Sequence, residues 1–213
     1  MAKPDTPWFD RIRNAHRLSV FPGSTVTKGV WAGVFPKALA EFNKLSSQLK
    51  LGVTLGPSTD KPDAAENSFA GADIWVEAGE QFDFEASGQK KTLSLEPLVR
   101  GHTQTLAWDF GKGAQIRKAL ILMKPNPLAD DFPRRVGDGV LMCWAVHEFI
   151  HALGLAEHTL GGGDLLQEVP DLRTGARNKP DEDRLAVNGG KKLPPLFLLG
   201  STIGRIQALW PSP

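Results

Sequence analysis

Twelve residues constrain this chain more than any others: HEFIHALGLAEH, positions 147–158. On an α-helix, positions four apart lie on one face, about 6 Å apart along the axis. His147 and His151 therefore aim two imidazoles at one point, which is the spacing that holds a single zinc ion. Glu148 lies about 100° further round the helix. It is placed to hydrogen-bond a water on the metal rather than to bind the metal. Three of the five histidines in the chain fall within these twelve residues. The residues just before them, VLMCWAV (140–146), are apolar, so the helix is expected to be buried. A buried glutamate needs a chemical reason. Gly154 then reverses the chain and lets Glu157 or His158 return as a third ligand.

The chemistry such a site supports is specific. Catalytic zinc takes three protein ligands and keeps a fourth position for water. The ion lowers the pKa of that water to about 7 and polarises a carbonyl oxygen. A neighbouring carboxylate accepts the proton and delivers it to the leaving amine. Two imidazoles, one base and a chain reversal meet those needs. The expectation from these residues is a zinc-dependent hydrolase with His147 and His151 as ligands, Glu157 or His158 as the third, and Glu148 as general base and acid.

Composition narrows the alternatives. Lys and Arg number 25 and Asp and Glu 24, a net charge of +1, so no basic field points to nucleic acid or an anionic membrane. One cysteine excludes an intramolecular disulfide. No apolar run approaches the roughly 20 residues of a membrane span, and the first ten residues lack a signal-peptide core. A protein that is cytoplasmic, exported by a non-classical route or already trimmed is expected, monomeric, acting on a peptide or protein. The 213 residues suffice for one catalytic domain. Its larger lobe is expected over 1–158 and its smaller lobe, flooring the cleft, over 159–213.

Periodicity places the remaining elements. Leu39, Phe42, Leu45 and Leu49 predict an amphipathic helix over 37–49. Short β-branched or aromatic runs bounded by Gly or Pro predict strands at 50–56, 72–79, 104–110 and 116–123. A loop with Asp130, Asp131, Pro133 and Gly137 follows, and Asp138 is the expected N-cap of a helix over 139–153. Gly154 stands where a left-handed helix end is expected. Ser201 is the expected cap of a terminal helix over 200–210, with Ile203, Ile206 and Leu209 on one face. The order implies an α+β fold with a mixed sheet and helices packed on it.

His147, Glu148, His151, Gly154 and a following histidine resemble the metzincin metalloprotease signature, H-E-x-x-H-x-x-G-x-x-H, and the likeness is nearest to the matrixins. ADIWV (72–76) is similar to the strand before the edge strand of that family, and STIGRIQALW (201–210) to its C-terminal helix. The resemblance implies a mostly parallel twisted sheet, a long motif helix, an active-site cleft and a small C-terminal lobe ending in a helix. In the family the third ligand falls three residues after the glycine, which here is Glu157. Either the turn absorbs one residue and His158 binds, or Glu157 binds in register. Imidazole is the commoner partner and turns absorb single insertions, which favours His158. The family also has a methionine in a turn below the metal. Here KLPPL (192–196) is similar to that turn, with Leu193 in the methionine's place and Pro195 matching the proline. A substrate peptide is expected to add a strand along Thr105, Leu106, Ala107 and Trp108.

Other assignments compete. Glu168, with Asp171, fits loosely as the third ligand of a thermolysin-like site, although Pro170 opposes a helix there. A metzincin-like domain that keeps zinc but not proteolysis is motivated by the extra residue and the missing methionine. Cys143 is too far from His151 along the helix to share an ion and reads as a small buried apolar residue. His102 reads as a strand-end histidine or as lining the site, and His16 as a surface residue. With only these two histidines left, no structural zinc is expected. Calcium at an acidic loop such as Asp60–Asp63 has no support in the sequence.

Overall fold

The computed structural model describes residues 3–65, 68–86, 88–96, 99–109, 111, 113–125, 137–159, 164–166 and 196–211. In chain order the elements are α1 (Asp10–Arg13), β1 (Arg17–Pro22), a 3-10 turn (Gly29–Trp31), α2 (Phe35–Leu49), β2 (Thr54–Pro57), β3 (Ile74–Ala78), β4 (Gln81–Ala86), β5 (Gln89–Ser94), β6 (Gly101–Asp109), β7 (Ala114–Met123), α3 (Asp138–Ala152) and α4 (Gly200–Leu209). Five strands form one sheet in the order β2-β1-β3-β7-β6. β2, β1, β3 and β7 run parallel, and β6 closes one edge antiparallel to β7. This is a mixed α/β architecture around a mostly parallel sheet. β3, which carries the ADIWV stretch, is the middle strand of this sheet, with β7 between it and the edge strand β6.

The sheet is covered on both faces, which is why its inner strands read as continuous apolar runs. Ile74, Val76, Ala119, Ile121 and Met123 face a core shared with α2 and α3. Trp75, Leu120 and Leu122 point the other way, into a second cluster with Phe84, Ala86 and Leu93 of the β4–β5 hairpin. α2 presents Phe35 and Phe42 edge-on to Phe149 of α3, at ring separations of 6.0 and 6.2 Å. α3 is buried nearly all round, as its apolar sequence requires.

Several boundaries depart from the sequence reading. The apolar run 50–56 becomes strand only from Thr54, because Lys50 ends α2 in the left-handed region, at φ 52°. Gly137 precedes α3 as its cap, and Asp138 is the first helical residue, where its charge favours the helix dipole. Ser201 lies inside α4, which makes no side-chain cap of its own. His16 is half-buried, with Nδ1 2.7 Å from the Gly52 carbonyl. β1 and the β4–β5 hairpin were not legible as elements.

The end of α3 shows how tertiary packing finishes a helix. Its last carbonyls have no partner within the helix. The indole N–H of Trp8 donates to Ala152 O at 2.8 Å, and that of Trp210 to Leu153 O at 3.0 Å. The amide of Thr6 donates to Gly154 O at 2.9 Å. Gly154 has φ +116°, and a Cβ there would lie 2.2 Å from Thr6 O. Only glycine meets both demands.

Of the expected C-terminal lobe, 159–213, the described residues share the main core. Leu165, Leu166, Leu198, Ile206, Leu209 and Trp210 pack into the same cluster as the sheet and α3. Leu193, Pro195, Glu168 and Asp171 lie outside the described residues, as do Asp130, Asp131 and Pro133.

Candidate metal centre

α3 carries His147 and His151 on one face, and the turn at Gly154 returns His158 to them. One ring nitrogen from each of these three residues lies within 4.8 Å of the other two. Nε2 of His147 is 3.1 Å from Nε2 of His151 and 3.3 Å from Nε2 of His158. His147 is buried, His151 half-buried and His158 exposed, so the cluster opens toward solvent at one side. Among the described residues no other group of three or more His, Cys, Asp or Glu has this arrangement.

The protonation states follow from the partners. His147 Nδ1 lies 2.6 Å from Leu165 O, and His151 Nδ1 lies 2.8 Å from Leu155 O. A carbonyl only accepts, so each Nδ1 carries the proton. Burial, with smaller contributions from neighbouring charges, pulls the pKa of His147 down to about 4 and that of His151 down to about 3. Both rings are thus neutral at pH 7, and both Nε2 atoms present lone pairs at 3.1 Å. Two lone pairs that close repel unless a cation lies between them. Tetrahedral zinc, with Zn–N of about 2.0–2.1 Å, separates its nitrogens by roughly 3.3 Å. The donor set fits a metal ion of this kind, and the carbonyl bonds to Nδ1 are the usual supports of metal-binding histidines.

Glu157 is turned elsewhere. Its carboxylate accepts the amide of Lys3 at 2.7 Å, and its carbonyl accepts from Arg205 at 3.1 Å. Between Gly154 and His158, Leu155 is buried and the Ala156 amide donates to Asp5 at 3.1 Å.

Glu148 is buried beside His147, and the edge strand β6 runs directly over it. The Thr103 hydroxyl donates to Glu148 Oε2 at 2.7 Å. A Cβ on Gly101 would lie 2.7 Å from Oε1, so this glycine is set by close approach rather than by backbone angle. Burial pushes the Glu148 pKa up to about 7, and the Thr103 bond opposes that rise.

The expected substrate residues lie further along β6. Thr105 is half-buried, Leu106 is buried in the second core cluster and Ala107 is exposed. Trp108 packs on that cluster with the Arg117 guanidinium 5.1 Å from its ring centre. A bulge falls between Leu106 and Ala107. β6 approaches Glu148 at Gly101 and Thr103, which lie roughly 14 and 7 Å before Thr105 at strand rise. His102 is outside the histidine cluster, though its charge acts on His151. Cys143 is fully buried, and burial raises its thiol pKa to about 12. At the acidic loop near Asp60–Asp63, the buried Lys118 ammonium donates to Ala70 O and Ala72 O at 2.9 and 2.8 Å. A side-chain cation therefore holds the inner carbonyls of that loop.

Sequence reasoning missed Thr103, Gly101 and Asp164. The only signal for Thr103 was strand alternation, which sets 101, 103 and 105 on the face opposite Leu106. No protein-family model matches the chain, and no curated protein matches its sequence.

Proposed function

We propose that the chain is a zinc-dependent endopeptidase of metzincin-like type. The observation that carries this reading is the convergence of three imidazole nitrogens, two with their protons committed to carbonyls, beside a buried glutamate. His147, His151 and His158 hold the ion, which when bound supplies the Lewis acidity that makes water a nucleophile near neutral pH. Glu148, buried and held by the Thr103 hydroxyl, takes the proton from water and passes it to the leaving amine. β6 is the edge of the sheet, and a peptide lies along it as an added strand, past Gly101 and Thr103 toward Thr105–Trp108.

The test is paired. Metal content by mass spectrometry is expected at one zinc per chain in wild type, Glu148→Ala and Glu148→Gln. Cleavage of a peptide library is expected in wild type alone, with losses of at least about a thousandfold in both variants. Hydrolysis retained in the variants removes Glu148 from the mechanism. Zinc in wild type without cleavage of any library peptide favours the second reading, a binding module that keeps the metal.

A further inference from the structure

Asp164 is fully buried and lies outside the twelve-residue motif. Its Oδ1 accepts the amide of Leu166 at 2.9 Å. Its Oδ2 accepts the amide of Leu199 at 3.2 Å and the Thr202 hydroxyl. A carboxylate taken out of water needs such donors. Two of the three come from the start of the ten-residue α4, where the helix dipole also favours negative charge. Asp164 thus does for α4 what Ser201 was expected to do, from a distant part of the chain.

The same triplet reaches the metal centre. The Leu165 carbonyl accepts Nδ1–H of His147. The Leu166 carbonyl accepts the amide of Thr159 at 3.0 Å, immediately after His158. The Leu165 amide donates to Phe197 O at 2.7 Å, a second tie to the segment that enters α4. Residues 164–166 therefore hold two of the three ligands on one side and α4 on the other.

We infer that Asp164 is a positioning residue of the metal centre: by locking the 164–166 triplet onto α4, it fixes the ring plane and tautomer of His147 and the path of the chain at His158. This rests on the metal-centre reading above. A cap that served α4 alone would change the melting of the protein but not the metal affinity of its folded form.

The experiment uses the full chain stripped of metal and titrated with zinc against a competing chelator. Folding is followed by near-UV circular dichroism, and the Nδ1–H of His147 by proton–nitrogen NMR before zinc is added. Asp164→Asn is expected to remain folded and to lose 10- to 100-fold in zinc affinity, the range typical of groups that orient metal ligands. Thr202→Val, which removes one donor at nearly constant volume, is expected to lose affinity to a smaller degree and to move the His147 resonance. Thr202→Ser is expected to restore both. Wild-type affinity in folded Asp164→Asn and in Thr202→Val overturns the inference. If Asp164→Asn does not fold, the two Thr202 variants decide. Absence of zinc binding in wild type overturns the metal reading, and this role falls with it.

Discussion

At the scale of residues, burial and hydrogen bonding assign opposite ionisation habits to adjacent side chains. In the metal-free protein His147 and His151 titrate near 4 and 3, below the ordinary 6.5. Protons therefore compete poorly for the Nε2 atoms of these two rings. Zinc affinity measured from pH 7 to pH 5 is expected to fall far less steeply than the roughly 10⁴-fold of three ordinary histidines. A steeper fall would show that the rings are not held neutral. The same shifts carry stability that is present above pH 6.5 and lost as pH falls through about 4 and 3. Glu148 has the opposite sign. Its folded pKa of about 7 exceeds the ordinary 4.5, so its contribution is present below pH 4.5 and lost as pH rises through 7. Metal-free Glu148→Gln is thus expected to gain on wild type across that window, on the order of 3 kcal/mol by pH 8. Melting curves at pH 5 and pH 8 check it, and an equal difference at both would contradict it.

At the scale of elements, α3 depends on groups far from it in sequence to finish its C-terminal turn. Trp8 and Trp210 supply the donors for Ala152 and Leu153. Trp210→Phe keeps an aromatic ring in the core but leaves the Leu153 carbonyl unpaired. The expected loss is about 1–3 kcal/mol from that group, plus the smaller ring's lost packing, read as a lower denaturation midpoint. Gly154→Ala tests the turn directly. A methyl group meets Thr6 O at 2.2 Å on a backbone at φ +116°. The variant is expected to bind less than one zinc per chain even where it remains folded, since the turn that returns His158 is displaced. Full zinc occupancy in that variant would show that the turn does not place the ligand.

At the scale of the whole molecule, the segment before α1 and helix α4 meet over the loop that precedes His158. Arg205 of α4 makes a two-pronged ion pair with Asp5, at 2.7 Å to each oxygen, and reaches the Glu157 carbonyl. The amide of Lys3 holds the Glu157 carboxylate, and Asp5 also receives the Ala156 amide. This strap is a further reason why Glu157 faces away from the metal centre and His158 faces it. Arg205→Gln is expected to speed hydrogen exchange at the Ala156 amide at least tenfold while α2 is unaffected. An unchanged rate there would mean that the loop keeps its shape without the strap.

α3, its burial, the alignment of His147 with His151, the place of Glu148 and the need for Gly154 were all legible along the chain. These follow from the pitch of one helix and the handedness of one turn, which are local properties. The edges of strands were less legible. Leu51 and Val53 are buried without being in a strand, and the β4–β5 hairpin has the charged outer face of a surface element. Only the tertiary packing shows His158, rather than Glu157, beside the other two histidines, brings Thr103 and Gly101 onto Glu148, and links α4 to His147 through Asp164. Each of those outcomes depends on which donor from a distant segment reaches a buried acceptor, and no spacing along the chain records that.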